Sequence, residues 1–184
     1  MVAYTVPGMK TDTAERVTAL LQDRLNSLND LALTLKHVHW NVTGTNFIAV
    51  HTMLDPQVDA VRAMTDETAE RIAALGGSPV GTPGALVEQR DWDDYSIGRA
   101  DAIAHLGALD VVYSGIIEAH RAAIDTTDEL DLVTQDMLIG QARQLEQYQW
   151  FVRAHLESAD GTLSTVGAST EGQAAKRAQK TKKR

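Results

Sequence analysis

The amino-acid sequence predicts an all-α four-helix bundle. Three observations support this fold class: four long segments carry apolar residues at steps of three and four, two of the connections between them are short, and one is long. With 184 residues, 43% of them hydrophobic, the chain is long enough for one well-buried core. We therefore expect an N-terminal arm at residues 1–11, one domain at residues 12–158 and a tail at residues 159–184.

The first predicted helix covers roughly residues 12–42. Asp12 is its expected N-cap, with Glu15 three residues later. The turn sequence 43–46, Thr-Gly-Thr-Asn, ends it. Its apolar stripe is formed by Val17, Leu21, Leu28, Leu31, Leu35 and Val38.

The second helix is expected to end near Leu75, where Gly76 and Gly77 follow. Residues 76–84 contain four Gly and two Pro, so they form a connection, with room for a short helix opened by Thr82-Pro83. Ser96 and Asp131 are the expected N-caps of the third and fourth helices. Two hairpins joined by about 20 crossover residues make the ferritin-like arrangement of a four-helix bundle.

Composition narrows the chemistry. The chain has no Cys, so a metal has to be held by nitrogen and oxygen ligands, which suits iron. No run of 18 apolar residues and no signal-like start are present, so we expect no membrane span and a cytoplasmic location. Residues 1–160 carry 11 basic and 24 acidic side chains, about -13, whereas residues 161–184 carry 6 basic and 1 acidic, about +5.

The candidate metal ligands are His39, His51, Asp55, Asp66 and Glu70. On a helix, the four-residue spacing of Asp66 and Glu70 places both carboxylates on one face, and the same holds for His51 and Asp55. Taken alone, Asp66 and Glu70 fit a solvated helix face better than a metal site. The histidine segments beside them favour a metal site.

One chain cannot bring both pairs together. Asp55 and Asp66 are eleven residues apart, which is ~16 Å of helix rise. No Glu is followed three residues later by His, so an ordinary di-iron centre inside the bundle is not expected. Two antiparallel copies of the chain would place His51 and Asp55 of one subunit opposite Asp66 and Glu70 of the other.

Several motifs together carry a family resemblance: His-Trp-Asn-Val-Thr-Gly at 39–44, Asn-Phe-Ile-Ala-Val-His at 46–51, Asp55, and the segment 66–79 with Ala-Glu-Arg-Ile and Gly-Gly-Ser-Pro. The sequence resembles the Dps family, the mini-ferritins, over roughly residues 12–158. The resemblance implies a homo-oligomeric shell of twelve subunits whose intersubunit ferroxidase centres oxidise ferrous iron with hydrogen peroxide and store the ferric mineral. The implied ligands are His39, His51 and Asp55 from one subunit and Asp66 and Glu70 from its partner.

The resemblance also suggests roles for two charged regions. Asp131 and Asp136 are candidates for lining an acidic pore, although an acidic residue at a helix start also serves as a cap. The tail is expected to be disordered and to bind DNA, near the nucleoid; the alternative is a solubilising tail. An alternative function is an architectural DNA-compacting protein with little ferroxidase turnover. The candidate DNA-binding residues are Lys176, Arg177, Lys180, Lys182, Lys183 and Arg184.

Overall fold

The computed structural model describes residues 2–182 and confirms the all-α, ferritin-like four-helix bundle with a long crossover that contains a short helix. Lys183 and Arg184 lie outside the described residues, and so does the side chain of Lys182. The elements in order are α1 (Thr11–Asn41), β1 (Val42–Thr43), α2 (Phe47–Ala74), α3 (Pro83–Gln89), β2 (Ala100–Asp101), α4 (Ala102–Asp128), α5 (Leu132–Ala154) and α6 (Glu171–Lys182).

Two of the three expected helix caps are wrong. Helix α1 begins at Thr11, so Asp12 lies inside the first turn, and its carboxylate accepts from the backbone N–H of Thr13. Helix α4 begins at Ala102 with Asp101 as its N-cap, because the Asp101 carboxylate accepts from the N–H of Ile103, whereas Ser96 remains in the crossover. Asp131 caps α5 as expected, accepting from the N–H of Thr134.

Pro56 lies inside α2 without ending the helix. Pro56 is exposed to solvent, and α2 continues on both sides of it, from Phe47 to Ala74. Because Pro has no N–H, the carbonyl four residues earlier loses one hydrogen bond, a loss that water offsets on an exposed face. His51 and Asp55 therefore stay on one continuous helix with Asp66 and Glu70.

The turn between α1 and α2 is tied to the start of α4. Strand β1 pairs in parallel with β2, with Val42 opposite Ala100 and Thr43 opposite Asp101. Gly44 has a φ of 93°, and a Cβ at this position would lie 2.4 Å from Oδ2 of Asp101. Glycine is thus required here both for the left-handed backbone and for the close approach of Asp101.

The core runs the length of the bundle. Leu residues at 28, 31 and 35 of α1 pack with Val50, Leu54 and Val58 of α2 and with residues of α4 and α5. A second cluster lies towards the other end and includes Val17, Leu21, Ile72 and Leu138. Helix α4 is long and apolar enough to span a membrane, but 61% of its most apolar stretch is buried within the protein. Its apolar character is accounted for by packing against α1, α5 and α6.

The expectation of a disordered tail is wrong for residues 171–182, which form α6 against α4. The contact uses small side chains: Ala174, Ala175 and Ala178 are buried, and Ala174 lies over Gly107. A Cβ added at Gly107 would lie 2.8 Å from the carbonyl oxygen of Ala174. The segment between α5 and α6 also contacts α4, because the Thr165 hydroxyl donates to the buried Asp110 carboxylate at 2.7 Å. Three alanines give no conspicuous apolar stripe, which is why the sequence pattern indicated disorder.

We predict that Gly107→Ala loosens α6. The added methyl group has to displace the backbone of α6 at Ala174, and such overpacking typically costs about 1–3 kcal/mol. This cost weakens the contact between α4 and α6. Trypsin should therefore cleave after Lys176, Arg177 and Lys180 faster than in the unmodified protein, as followed by mass spectrometry.

Gly115→Ala is the matched control, because Gly115 also lies in α4 and nothing lies within 4 Å of its added Cβ. This variant should leave cleavage unchanged and stabilise α4 by up to about 1 kcal/mol through helix propensity. Equal cleavage of both variants would contradict the inference that close contact at Gly107 holds α6 on α4.

Candidate metal centre

Two histidines form the centre of the site, one from each helix of the first hairpin. His39 lies in the last turn of α1 and is buried, and His51 lies in the second turn of α2 and is half-buried. The short turn fixed by Gly44 reverses the chain between them. Their rings stack, with centroids 3.6 Å apart and planes inclined by 24°.

Each histidine is oriented by the backbone of the other. Nδ1 of His39 lies 2.9 Å from the carbonyl oxygen of His51, and Nδ1 of His51 lies 2.9 Å from the carbonyl oxygen of His39. A carbonyl only accepts, so both Nδ1 atoms carry a proton, and in the neutral form of each ring Nε2 then holds the lone pair. Metal-binding histidines are commonly prepared in this way, with the second ring nitrogen donating to a carbonyl.

Asp55 joins this pair. Its Oδ1 atom lies 3.2 Å from Nδ1 of His39 and 2.9 Å from Nζ of Lys36, and its side chain is half-exposed. The hydrogen bond from Lys36 lowers the pKa of Asp55, opposed by partial desolvation and assisted by His39 and His51. Lys36 was not singled out from the sequence, because a lysine nineteen residues from its partner leaves no local pattern.

The structure does not bring Asp66 and Glu70 to these residues. Both are exposed on α2, one helical turn apart and several turns beyond Asp55. Within residues 2–182 of one chain, no three His, Asp or Glu side chains are arranged to hold a metal ion. The candidate ligands of one chain therefore lie in two separate groups, which we call the histidine half-site (His39, His51 and Asp55) and the acidic half-site (Asp66 and Glu70).

The candidate pore residues differ from each other. The Asp131 carboxylate is largely buried, caps α5 and accepts from Nη2 of Arg71 at 2.6 Å. Burial alone would raise the pKa of Asp131, but hydrogen bonds from Thr134 and Arg71 outweigh this and lower it. Asp136 is exposed on α5. Arg71 directly follows Glu70, so the acidic half-site and the start of α5 are linked by one ion pair.

Two side chains next to His39 and the candidate DNA-binding residues lie away from the histidine pair. His37, two residues from His39, points to the crossover, where its Nε2 lies 2.9 Å from the carbonyl oxygen of Ile97. Trp40 is 71% exposed, so it does not pack in the core of its own chain. Lys176, Arg177 and Lys180 are exposed on α6, on the side away from its buried alanines.

The fold is that of a ferritin-like bundle, and the candidate ligands of each chain lie in two separate groups. The family model of the ferritin-like domain matches residues 18–161. The chain is 57% identical over 180 residues to the DNA protection during starvation protein of Mycolicibacterium smegmatis, covering 98% of both chains. It is 51% identical over 160 residues to the fine tangled pili major subunit of Haemophilus ducreyi, covering 87% of this chain and 85% of that protein.

A solved Dps structure from Streptomyces coelicolor has a TM-score of 0.88 and 66% identity, and the match covers 89% of this chain and 98% of that one. These matches extend over the bundle and both half-sites. The chain belongs to the Dps family of ferritin-like proteins.

We predict that Lys36→Met raises the pKa of Asp55 towards the ordinary aspartate value of about 3.9. In the unmodified protein the lowered pKa keeps Asp55 ionised to more acidic pH. The stabilisation from the Lys36–Asp55 pair is therefore present above the ordinary pKa and is lost as the pH falls through the lowered one. NMR titration of the Asp55 carboxyl carbon measures this directly.

Lys36→Arg serves as the control, since it keeps the positive charge and should hold the pKa of Asp55 low. If the methionine variant titrated like the unmodified protein, Lys36 would not be the cause of the shift.

Proposed function

We propose that this protein is a ferroxidase and iron store that assembles as a homo-oligomeric shell, with iron sites formed between subunits. His39, His51 and Asp55 of one subunit and Asp66 and Glu70 of its neighbour bind ferrous iron as substrate. The observation that carries the proposal is the reciprocal orientation of His39 and His51, which leaves both Nε2 atoms ready to bind a metal. Membership in the Dps family supports the same conclusion.

Assembly follows from the separation of the half-sites. Helix α2 is rigid between Asp55 and Asp66, so only a second chain can supply the missing carboxylates. Two α2 helices running antiparallel about a two-fold axis place each histidine half-site opposite an acidic half-site. Large apolar side chains near the turn, Trp40, Phe47 and Ile48, are exposed in the single chain and suit a contact between copies. The family resemblance gives the expected number of subunits as twelve.

The donor set suits the oxidation. Imidazole binds ferrous iron well, and carboxylates stabilise the greater charge of ferric iron, so a site with both favours loss of an electron in place. Hydrogen peroxide is the proposed oxidant. Two ferrous ions give one electron each to one peroxide, and with two protons this yields two ferric ions and two water molecules. Pairing the electrons avoids release of hydroxyl radical.

We predict that two inactive variants restore activity when their subunits are mixed. One variant carries Asp66→Asn and Glu70→Gln, and the other carries His51→Gln and Asp55→Asn. Random co-assembly should leave about a quarter of the sites intact, because a mixed pair has one complete site and one site with no native partner. Ferric absorbance after addition of ferrous iron and peroxide reports the recovery.

Native mass spectrometry checks that mixed oligomers have formed. No recovery despite mixed oligomers would show that the ligands of each site come from one chain. A rate no faster than buffer for the unmodified protein would reject the ferroxidase itself.

Helix α6 is the proposed DNA-binding element, within a cytoplasmic and nucleoid-associated protein. Its alanine face is held on α4, so Lys176, Arg177 and Lys180 form an ordered basic surface on the outside of the bundle. Repeated around a shell, this surface provides many phosphate contacts. The relative from Mycolicibacterium smegmatis is named for DNA protection. The architectural alternative rests on this same surface, which does not depend on the half-sites.

We predict that changing Lys176, Arg177 and Lys180 to Gln weakens binding to duplex DNA by at least about tenfold and flattens its dependence on salt. Replacing Arg16, Arg99 and Arg143, which are also exposed, with Gln changes the net charge equally and serves as the control. Gel-shift titrations at two salt concentrations compare them. Equal weakening by both variants would mean that overall charge, rather than α6, governs binding.

Asp136 and Asp131 remain our candidates for an acidic passage for iron into the shell. The exposed Asp136 is free to attract cations. Asp131 is largely neutralised by Arg71, so it contributes mainly by fixing the start of α5.

A further inference from the structure

A half-buried tyrosine and a buried histidine form a pair outside the proposed iron site. Tyr95, in the crossover after α3, directs its hydroxyl towards Nδ1 of His105 in α4, at 3.0 Å. The rings are nearly parallel, with centroids 6.1 Å apart. His105 is fully buried, and burial raises the pKa of Tyr95. Nothing in the proposed binding of iron or DNA requires this pair.

The protonation of His105 follows from its surroundings. Burial lowers the pKa of His105, so the ring is neutral at neutral pH, while the backbone of Asn41 and Gly98 and the carboxylate of Asp101 oppose that shift. Nε2 has no partner at hydrogen-bonding geometry in the described chain. In the tautomer with the proton on Nε2, Nδ1 accepts from the phenol.

This arrangement distinguishes Tyr95 from the other three tyrosines of the chain. The buried Tyr113 donates to the amide oxygen of Gln57 at 2.7 Å. The Tyr148 hydroxyl accepts from the amide of Gln144, and Tyr4 is 68% exposed. An amide does not take up a proton near neutral pH, whereas an imidazole does. Tyr95 is thus the tyrosine with a base in contact with its hydroxyl.

The pair is connected to the histidine half-site by packing. The ring of His37 meets the ring of Tyr95 edge-on, with centroids 5.8 Å apart. His37 precedes His39 by two residues in α1. Tyr95 is therefore one side-chain contact away from the helical turn that carries the first ligand of the proposed iron site.

We propose that Tyr95 is a one-electron donor, with His105 as its proton acceptor, that reduces radical oxidants formed from peroxide at the iron site. This role rests on the proposed ferroxidase function. When a site holds a single ferrous ion, peroxide can take only one electron and splits into hydroxide and hydroxyl radical. Tyr95 then gives one electron to the hydroxyl radical, which becomes hydroxide. The phenolic O–H bond breaks, its proton moves to Nδ1 of His105, and a phenoxyl radical remains.

The benefit of the base is electrostatic. A phenol that loses an electron while keeping its proton would be a buried cation in an apolar setting, which is unfavourable. Transfer of the proton over one hydrogen bond moves the positive charge onto the imidazole. Desolvation and the nearby His37 disfavour charge on this ring and lower its pKa. The backbone of Asn41 and Gly98 and the Asp101 carboxylate partly offset these effects.

The test is freeze-quench electron paramagnetic resonance on the assembled protein, loaded with one or two ferrous ions per site and mixed with hydrogen peroxide. Ring-deuterated tyrosine identifies a tyrosyl signal by its change in hyperfine splitting. We expect the signal to be larger at one iron per site, to fall at least about tenfold in Tyr95→Phe, and to persist in Tyr113→Phe.

His105→Gln gives Tyr95 the kind of amide partner that Tyr113 has. It should also lower the tyrosyl yield about tenfold, while ferric iron still forms. Circular dichroism and native mass check that each variant folds and assembles. A signal that survives Tyr95→Phe, or a full signal in folded His105→Gln, would overturn the proposal. If ferric absorbance develops without any tyrosyl signal, the role of Tyr95 is rejected and the ferroxidase function stands. If ferric absorbance does not exceed that of buffer, the ferroxidase function itself is rejected.

Discussion

The rigidity of α2 is the constraint on which the arrangement of this protein depends. A helix cannot shorten, so the carboxylates of Asp66 and Glu70 stay several turns from Asp55, whatever the rest of the chain does. The turn at Gly44 then adds a second imidazole to one end of α2 and none to the other. The candidate ligands of one chain therefore stay in two separate groups. In the proposed intersubunit site, each group is completed by a copy of the same chain.

Much of the bundle could be predicted from the sequence, because helices and turns are determined largely by residues that lie close together in the chain. Apolar spacing gave the four long helices, and turn residues gave the crossover and the short helix α3. The Asp131 cap was also predictable, since a capping side chain and its target are three residues apart. The cap at Ser96 was wrong because the pairing of β1 with β2 keeps the chain extended up to Asp101, so α4 begins only after that strand. The cap at Asp12 was wrong because α1 begins one residue earlier, at Thr11.

The features that sequence reasoning missed depend on contacts between distant residues. Lys36 reaches Asp55 across the hairpin, and Arg71 reaches Asp131 across the bundle. Tyr95 and His105 are separated by a strand and a helix start. Spacing suggested the candidate pairs His51 with Asp55 and Asp66 with Glu70, and the family resemblance added His39. The orientation of the two imidazoles became visible only with the backbone carbonyls in place.

The packing of α6 against α4 also affects how a C-terminal truncation of the protein would behave. Gly107 and the neighbouring small residues of α4 form a shallow trough that the alanines of α6 fill. Cutting the chain before α6 would uncover this trough as well as remove positive charge, and an uncovered apolar trough tends to attract other chains. Aggregation of a shortened protein would therefore result from the exposed apolar surface of α4. It would not be evidence for or against DNA binding by α6.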